Sequence, residues 1–499
     1  MSKHNSAPDI QTLGELKKSG WKSRSIRAEI REHLMDLIKS KQPRFPGIFG
    51  YDDTVLPELE RALLSEHNLC FLGLRGQAKT RLARQIVFLL DEWMPYITGS
   101  ELLDDPLNPI SRFGQEQINE LGDLCPISWL HQSERYSEKL ATPDVSVADL
   151  IGDADPIKAA SLKLPYSDER VIHYGLIPRS HRCVFVINEL PDLQARIQVA
   201  LFNILQEGDI QIRGFKLRLP LDILFVFTAN PEDYTNRGSI VTPLKDRIDS
   251  QIITHYPADI ETGKQITRQE ARIQPGQASI HIPELARDLI EQLAIEARNS
   301  EFVDSKSGVS ARLTISAMEN LLSTAERRLL LNQESGGCIR LMDIFGVVPA
   351  LTGKMELVYE GEQEGAGIVA RNLIGKAIRT QFALYFPDPE KEKKKKQASV
   401  FDLVSDHFGK GNTVSLTMDA SQKDYQTALD GIPGLDDLLF DTKIPMETQE
   451  RWFWKEFVLF GLSEFSVIGK KFTGLEARFV DLLGSMMDLD SLGFEEEEE

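Results

Sequence analysis

The sequence has no long hydrophobic run and few cysteines, and each of these features excludes some classes of protein. No apolar stretch among its 499 residues approaches the ~18 that a membrane-spanning helix needs. The first residues, MSKHNSAPDIQ, contain no hydrophobic core of a secretory signal, so we expect a cytoplasmic protein. The 4 cysteines are scattered without a CxxC pair, which argues against disulfides and zinc sites and predicts buried thiols. They are Cys70, Cys125, Cys183 and Cys338.

Positive charge is also scarce, because 57 lysines and arginines stand against 76 aspartates and glutamates, a formal net charge of -19. A chain of this charge repels a phosphate backbone, so we do not expect a general nucleic-acid-binding protein. The composition is otherwise that of a globular protein, with 41% hydrophobic and 27% charged residues. At ~150 residues per domain, the length suggests about three domains.

The hydrophobic pattern divides the chain into five predicted segments. Residues 1–45 form an N-terminal helical segment, and 46–256 form a mostly parallel sheet covered by helices, since short apolar runs alternate there with helical patterns. Residues 257–386 carry amphipathic helices, 387–445 a lysine-rich linker and a weakly patterned segment, and 446–499 a helical segment with an acidic tail. The aromatic stripe of the last segment, from Trp452 to Phe460, suits a protein core better than a docking surface. The predicted strands are Asn68–Leu72, Cys183–Ile187, Asp222–Thr228 and Gln251–His255.

The sequence GLRGQAKT, residues 73–80, follows an apolar strand and opens a helix. Backbone N–H groups of such a turn and the start of the helix point at one place, where they bind phosphate. Lys79 is placed to reach the outer phosphates, and the Thr80 hydroxyl to bind Mg2+. The P-loop pattern is met except that Ala78 replaces its second glycine, and an ordinary strand-to-helix turn is the competing interpretation. The predicted phosphate-binding residues are Gly73, Arg75, Gly76, Gln77, Ala78, Lys79 and Thr80.

Two further predicted strands end in polar side chains, at the edge of a parallel sheet where ligands bind. Glu189 is the candidate base that polarises water toward a γ-phosphate. Asn188 stands where a carboxylate is expected to hold Mg2+, and its amide oxygen accepts hydrogen bonds from metal-bound water without formal charge. Asn230 is placed to bind both a γ-phosphate and the attacking water, although an Asn-Pro turn that merely closes the strand explains it equally well locally.

The order of these motifs resembles the AAA+ ATPases, and within them the branch of MoxR and the magnesium-chelatase small subunit. The resemblance covers about 46–330, from FPGIFGYDD through GLRGQAKT and VFVINE to DILFVFTANP. It implies a P-loop AAA+ core followed by a helical lid domain, with ATP and Mg2+ as cofactors. In this branch alanine is common before the lysine, and a β-hairpin precedes the sensor strand. That hairpin fits the alternation of Ile210, Ile212, Leu217 and Leu219 about Gly214.

Two arginines gain a role from the resemblance alone. Arg247, in PLKDRID, stands where the family has a finger that reaches the nucleotide of the neighbouring subunit, with Ile248 replacing an aromatic residue. Arg312, in GVSARLTIS, stands where the family places its second sensor, at the start of a lid helix. A surface salt bridge is the alternative for each. A finger that acts in trans implies self-association into a ring, usually a hexamer in this family.

The function implied by the resemblance is a ring-forming ATPase that remodels or activates a partner protein. In this branch the partner often carries a von Willebrand factor A domain, and this chain has no D-x-S-x-S motif of its own. Two alternatives remain open: the motor of a metal chelatase, and a nucleotide-binding scaffold whose hydrolysis is weakened by Asn188. The absence of a GAFTGA-type loop and of a helix-turn-helix argues against a transcriptional activator. Arg213, Lys216 and Arg218 leave a helicase-like hairpin open, but the acidity of the chain weighs against it.

Overall fold

A computed structural model describes residues 6–165, 168–212, 218–231, 239–394, 399–442 and 444–482. The chain divides into two compact units, 1–255 and 256–499, each with its own hydrophobic core. All four cysteines are free and buried, as predicted. Within the described ranges, no helix has the length and hydropathy to cross a membrane. The same ranges contain no group of three or more histidines, cysteines or carboxylates that could hold a metal ion.

The first unit alternates strands and helices along the chain. Its strands are β1 (Leu69–Leu72), β2 (Trp93–Ile97), β3 (Ile127–His131), β4 (Tyr136–Leu140), β5 (Gly152–Ala154), β6 (Ile172–Tyr174), β7 (Cys183–Asn188), β8 (Asp209–Gln211), β9 (Arg218–Pro220), β10 (Ile223–Ala229) and β11 (Ser250–Ile253). Its helices are α1 (Leu13–Lys18), α2 (Ile26–Lys39), α3 (Val55–Leu64), α4 (Lys79–Gln85), α5 (Arg112–Leu121), α6 (Val147–Leu150), α7 (Pro156–Leu162), α8 (Leu176–Arg179), α9 (Ala195–Ala200), α10 (Phe202–Glu207) and α11 (Thr242–Lys245).

Five of these strands form a parallel sheet in the order β11-β1-β10-β7-β4. Leu69 of β1 lies opposite both Val226 of β10 and Ser250 of β11. The four predicted strands are all present in it, and the predicted fold class, a mostly parallel α/β core followed by a helical region, is confirmed. Strand β4 was not predicted because its sequence, YSEKL, is polar, which an edge strand tolerates.

The two strands of the predicted hairpin before β10 are present, since β8 and β9 pair antiparallel with Ile210 opposite Leu219. The turn between them lies outside the described residues, and so do Arg213, Gly214, Lys216 and Leu217. Arg218 is exposed and lies 3.6 Å from Asp209, so this basic residue belongs to a surface ion pair.

Helix α2, part of the predicted N-terminal segment, packs against the sheet. The Ser25 hydroxyl caps the helix by accepting a hydrogen bond from the Ala28 N–H. Ile26, Ile30 and Leu34, spaced at the helical period, are buried in the same cluster as residues of the central strands. The N-terminal segment is therefore part of the core of the first unit.

The second unit is mainly helical. Its helices are α12 (Ile260–Glu270), α13 (Glu284–Arg298), α14 (Arg312–Leu331), α15 (Leu341–Ile344), α16 (Val348–Thr352), α17 (Tyr359–Glu364), α18 (Ala366–Tyr385), α19 (Pro389–Lys394), α20 (Asp402–Gly409), α21 (Gln422–Asp430), α22 (Leu435–Asp441) and α23 (Arg451–Glu464). Its strands are β12 (Ile280–His281), β13 (Gly337–Cys338), β14 (Val414–Thr417), β15 (Gly469–Thr473) and β16 (Glu476–Val480). The predicted inner faces of α13 and α14 are buried: Leu285, Leu289, Ile290, Leu293, Leu313, Leu321, Leu322 and Leu329.

Residues 399–442 differ from the predicted linker and weakly patterned segment. They fold into α20, β14, α21 and α22, and Phe401, Phe408 and Tyr425 are buried in the core of the second unit. Each of these elements has only 4 to 9 residues, which is too short for a period to be visible in the sequence. The described lysines of the predicted linker, up to 394, end α19, and the rest of that lysine run lies outside the described residues.

The C-terminal segment, predicted to be helical with an acidic tail, contains strands as well as a helix. Helix α23 ends at Glu464 and is followed by the antiparallel pair β15 and β16, which extends to β14. The aromatic stripe of α23 is core, because Phe453, Phe457 and Phe460 are buried. Gly461 lets Phe382 approach so closely that an added Cβ would lie 2.0 Å from its ring. The alternative interpretation of this stripe as a docking surface is therefore wrong. The acidic tail lies outside the described residues.

Candidate functional site

The turn between β1 and α4, residues 73–78, has a backbone that few side chains tolerate. An added Cβ on Gly73 would lie 2.1 Å from the Thr254 hydroxyl and 2.2 Å from the side-chain oxygen of Gln77. Gly76 has a φ of 73° and Ala78 a φ of 56°, both in the left-handed region. For alanine this conformation costs about 1–2 kcal/mol, which explains why the generic motif has glycine there. We call this segment the β1–α4 turn.

Lys79, the first residue of α4, folds back over the turn that precedes it. Its ammonium group donates hydrogen bonds to the carbonyl oxygens of Gly73 and Leu74, the latter at 2.8 Å. The same nitrogen lies 2.7 Å from the side-chain oxygen of Asn230, directly after β10. The structure thus brings together two predicted site residues that are separated by 151 positions.

Thr80 and Asn188 meet at the same edge of the sheet, with the Thr80 hydroxyl 3.5 Å from the Asn188 side-chain oxygen. That oxygen also accepts a hydrogen bond from the Thr228 hydroxyl at 3.2 Å. The group is a set of neutral oxygens, and oxygen is the ligand atom that Mg2+ takes in proteins. These residues fit a magnesium ion, which Thr80 would bind directly and beside which Asn188 would be an uncharged partner.

Glu189 follows β7 with a φ of 55° and a ψ of 49°, a left-handed conformation that is uncommon for glutamate. Its backbone N–H donates a hydrogen bond to the Thr228 hydroxyl at 3.1 Å. Thr228 of β10 therefore holds the backbone of the candidate base and also the side chain of Asn188. Strained residues that are fixed in this way cluster at functional sites.

Arg247 lies on another part of the first unit, where its guanidinium group has a defined orientation. It donates to the Gln206 side-chain oxygen at 2.8 and 3.1 Å and to the Pro243 carbonyl at 2.7 Å. The group also lies over the Phe202 ring, 5.1 Å from its centroid. None of these three described partners of Arg247 is acidic, so these contacts do not favour the alternative of a surface salt bridge.

The remaining predicted residues lie as follows. Arg75 is exposed on the β1–α4 turn, whereas Gln77 is buried. Arg312 is exposed and is the first residue of α14, in the second unit, which agrees with the predicted start of a helix. Burial raises the pKa of Cys70, on β1, to about 12, so this thiol stays protonated at neutral pH.

Three hydroxyl groups around the site were not predicted: those of Tyr51, Thr228 and Thr254. Threonine is common in strands, and a single hydroxyl group is not part of any motif. No pattern in the sequence therefore indicates that Thr228 and Thr254 belong to the site. Tyr51 lies within the segment FPGIFGYDD that the resemblance places near the adenine. The side chain itself could have been singled out only by its position in that segment.

No family model matches the chain. It is 29% identical over 164 residues, 30% of its length, to the archaeal Lon protease of Halobacterium salinarum, and it spans only 23% of that protein. Among solved structures it is similar to the cryo-EM complex of the magnesium-chelatase subunits BchI and BchD, with 19% identity, a TM-score of 0.34, and coverage of 64% of this chain and 98% of that one.

Two further solved structures are similar to the chain. The closed state of Hsp104 with ATPγS and casein has 14% identity and a TM-score of 0.36, covering 65% of this chain and 53% of that one. NtrX from Brucella abortus in complex with ATP has 13% identity and a TM-score of 0.35, covering 59% and 56%. These identities and TM-scores are too low to assign a function, so the residues and the geometry of the chain itself have to indicate it. In its motifs and in its parallel sheet, the chain is similar to AAA+ ATPases.

Proposed function

We propose that the chain is a Mg2+-dependent ATPase of the AAA+ type, with its nucleotide at the β1–α4 turn. The observation that carries the proposal is the 2.7 Å contact between Lys79 and Asn230, together with Thr80, Asn188 and Glu189 at the same edge of the sheet. This edge offers a cation, a metal-binding hydroxyl, a carboxylate and two amides, which are the groups that transfer of a phosphoryl group to water requires.

Each group has a proposed role in hydrolysis. Lys79 and the backbone N–H groups of the turn neutralise the outer phosphates, while Thr80 would hold the Mg2+ and Asn188 would accept hydrogen bonds from its waters. Glu189 accepts a proton from the attacking water, and Asn230 orients that water toward the γ-phosphorus. A bond forms between the water oxygen and the γ-phosphorus as the bond between the γ-phosphorus and the bridging oxygen breaks, which releases ADP and phosphate.

The remaining parts of the proposal concern the assembly. Arg247 serves as a finger for the nucleotide of a neighbouring subunit, which makes the active form a ring, and we propose a hexamer. The fixed guanidinium supports this role, because a side chain that is already oriented loses less entropy when it meets a phosphate. Arg312 serves as the second sensor, and the ring acts on a separate protein, for which a von Willebrand factor A domain protein is our candidate.

A second candidate, a nucleotide-bound scaffold with weak hydrolysis, is favoured by one observation. The Asn188 oxygen is neutral and already accepts from Thr80 and Thr228, so the site lacks the carboxylate that would hold Mg2+ by charge. Because a neutral oxygen attracts a divalent cation less than a carboxylate does, Asn188 is expected to slow turnover.

The test is steady-state ATP hydrolysis with Mg2+ by the wild type, Glu189→Gln, Asn188→Asp and the control Glu116→Gln, which alters an exposed carboxylate on α5. We expect wild-type turnover that Glu189→Gln reduces by about 100-fold or more and that Glu116→Gln leaves unchanged. Asn188→Asp should raise the affinity for Mg2+. If the wild type is inactive and Asn188→Asp is active, the scaffold is correct; if both are inactive, the assignment of this site as an ATPase is wrong.

A further inference from the structure

The β1–α4 turn is held from behind by Tyr51, which lies before α3. The buried Tyr51 hydroxyl is 2.9 Å from the carbonyl oxygen of Gln77 and 2.8 Å from that of His255, and its single proton is shared between these two acceptors. The ring of Tyr51 also meets the imidazole of His255 edge to face, with centroids 4.9 Å apart. His255 is the last residue of the first unit, so one hydroxyl fixes both the turn and the end of that unit.

A second hydroxyl holds the side chain of the same glutamine. Thr254, directly after β11, donates to the Gln77 side-chain oxygen at 2.9 Å and lies 3.2 Å from the Leu72 carbonyl. Thr254 and Gln77 are both buried. Gly73 makes this packing possible, since any side chain there would collide with both groups. Gln77 is thus fixed at its backbone by Tyr51 and at its side chain by Thr254.

The planar peptide bond converts these contacts into a constraint on nucleotide binding. In a trans peptide, the carbonyl of one residue and the N–H of the next point in opposite directions. Because Tyr51 holds the Gln77 carbonyl, the N–H of Ala78 must point away from Tyr51. An anion-binding turn works through the direction of such N–H groups, so the direction of this donor is set by a hydroxyl group that lies behind the turn.

We propose that Tyr51 and Thr254 are positioning residues of the β1–α4 turn, which act through Gln77 to set the affinity for the nucleotide. This inference rests on the proposed function, since it assumes that the turn binds phosphate. The hydrogen bonds of Tyr51 and Thr254 act on nucleotide binding rather than on the chemical step, because neither hydroxyl is among the groups proposed to touch the water or the metal.

The experiment measures the Kd for ATP with Mg2+, and kcat and KM for hydrolysis, in the full chain. Tyr51→Phe and Thr254→Val each remove a hydroxyl while keeping the shape, and Thr254→Ser restores one. Tyr136→Phe is the matched control, because it removes a tyrosine hydroxyl that bonds to Glu138 on β4. We expect Tyr51→Phe and Thr254→Val to raise Kd and KM about two- to tenfold, the effect of one hydrogen bond, with kcat nearly unchanged.

Thr254→Ser and Tyr136→Phe should bind ATP like the wild type. Lys79→Ala, measured in the same series, separates this proposal from the proposed function. If Lys79→Ala loses ATP binding while Tyr51→Phe and Thr254→Val bind normally, the positioning role is overturned and the nucleotide site stands. If Lys79→Ala binds ATP normally, the proposed function fails and this inference fails with it. A fall in kcat at unchanged KM would also overturn the positioning role.

Discussion

The two ends of the parallel sheet carry different kinds of polar group. At the amino end, a charged or amide residue directly precedes every strand: Asn68, Arg135, Arg182, Asp222 and Asp249. At the carboxyl end, the described groups are mostly neutral oxygens, together with a lysine and a glutamate: Thr80, Asn188, Thr228, Asn230 and Thr254 with Lys79 and Glu189. One sheet therefore offers two sets of polar groups for comparison, one at each end.

The two buried arginines at the amino end are hydrogen-bonded within the fold. Arg135 donates to the two carboxylate oxygens of Glu29 on α2 at 2.6 and 2.8 Å and also to the Arg182 carbonyl. Arg182 in turn donates to the Pro95 carbonyl at 2.8 Å. A buried charge is tolerated when it is paired and hydrogen-bonded in this way. We therefore interpret the amino end as a structural fastening of α2 to the sheet.

The carboxyl end carries less charge. The Asn188 oxygen accepts from two hydroxyl groups, neither of which is charged. Left-handed backbone occurs at both ends, at Ala78 and Glu189 here and at Arg182 on the amino side, so strain does not distinguish them. Neutral oxygens that pair no buried charge add little stability, so their presence at one edge is better explained by chemistry than by folding. The comparison teaches that a paired buried charge marks the structural end of this sheet, and neutral oxygens around a lysine mark the chemical end.

Arg247 would break this division, since it precedes β11 on the amino side and is nevertheless proposed for chemistry. We expect Arg247→Ala to lower turnover about 1000-fold, because a finger arginine stabilises the charge of the transition state. An equal mixture of Arg247→Ala and Glu189→Gln should regain turnover, since some interfaces then combine an intact base with an intact finger. The measurement is ATP hydrolysis by each variant and by the mixture, with exposed Arg112→Ala as control. Wild-type turnover in Arg247→Ala would refute the finger.

The structural end is tested through Arg135. Replacing it with alanine leaves Glu29 buried and unpaired, so we expect the free energy of unfolding to fall by about 3–5 kcal/mol. Turnover per folded molecule should be unchanged. Urea denaturation and ATP hydrolysis are the measurements, and Arg112→Ala, on the surface, should cost less than about 1 kcal/mol. A large loss of turnover in folded Arg135→Ala would contradict the division between the two ends.

His181, beside Arg182 at the amino end, predicts a pH dependence. Burial lowers the pKa of its imidazole to about 4, with a further contribution from the nearby Arg182 charge, and its Nδ1 accepts from the Asp222 N–H at 3.0 Å. In the unfolded chain His181 therefore binds a proton below about pH 6.5, whereas in the folded chain it binds one only below about pH 4. Stability should fall by up to about 3 kcal/mol across this window as the pH is lowered.

The measurement is urea denaturation between pH 7 and pH 4, with His181→Gln compared with the wild type. The glutamine variant should lose less stability across the window, because it has no proton to bind. His173→Gln, at an exposed histidine on β6, should keep the wild-type slope. Equal slopes in His181→Gln and the wild type would show that His181 does not control the acid sensitivity.

The smallest expected effect concerns the strain at the chemical end. Ala78→Gly should stabilise the first unit by about 0.5 kcal/mol, because relief of the left-handed alanine exceeds the added entropy of unfolded glycine. Ala83→Gly, within α4, should instead destabilise it by about 1 kcal/mol. Thermal denaturation of both variants measures the difference. Destabilisation by both would mean that Ala78 is not strained.

The sequence predicted the chemical end of the sheet better than the structural end. Lys79, Thr80, Asn188, Glu189 and Asn230 follow apolar strands, so their convergence at one edge follows from the parallel arrangement. The pair of Glu29 and Arg135 has no such signal, because its members are 106 residues apart and belong to different types of element. A pairing of this kind becomes visible only when the fold brings the two residues together.

Hydroxyl groups and short elements were the other features that the sequence did not reveal. The role of Thr228 depends on its register with β7, and that of Tyr51 on the path of the chain between α2 and α3, neither of which is encoded in a local pattern. In the second unit, α20 to α22 bury apolar residues in one core with long helices, among them α23, which comes later in the chain. These short elements are therefore stabilised by tertiary packing and not by a hydrophobic periodicity of their own.

The most direct test of the central claim is calorimetric titration of ATP with Mg2+ into the wild type, Lys79→Ala and the control Lys17→Ala, which alters an exposed lysine on α1. The account predicts that wild type and Lys17→Ala bind ATP equally and that Lys79→Ala binds about 10- to 100-fold more weakly, since it loses charge-assisted hydrogen bonds to phosphate. Equal affinity in Lys79→Ala and the wild type would contradict it, and the β1–α4 turn would not be the nucleotide site.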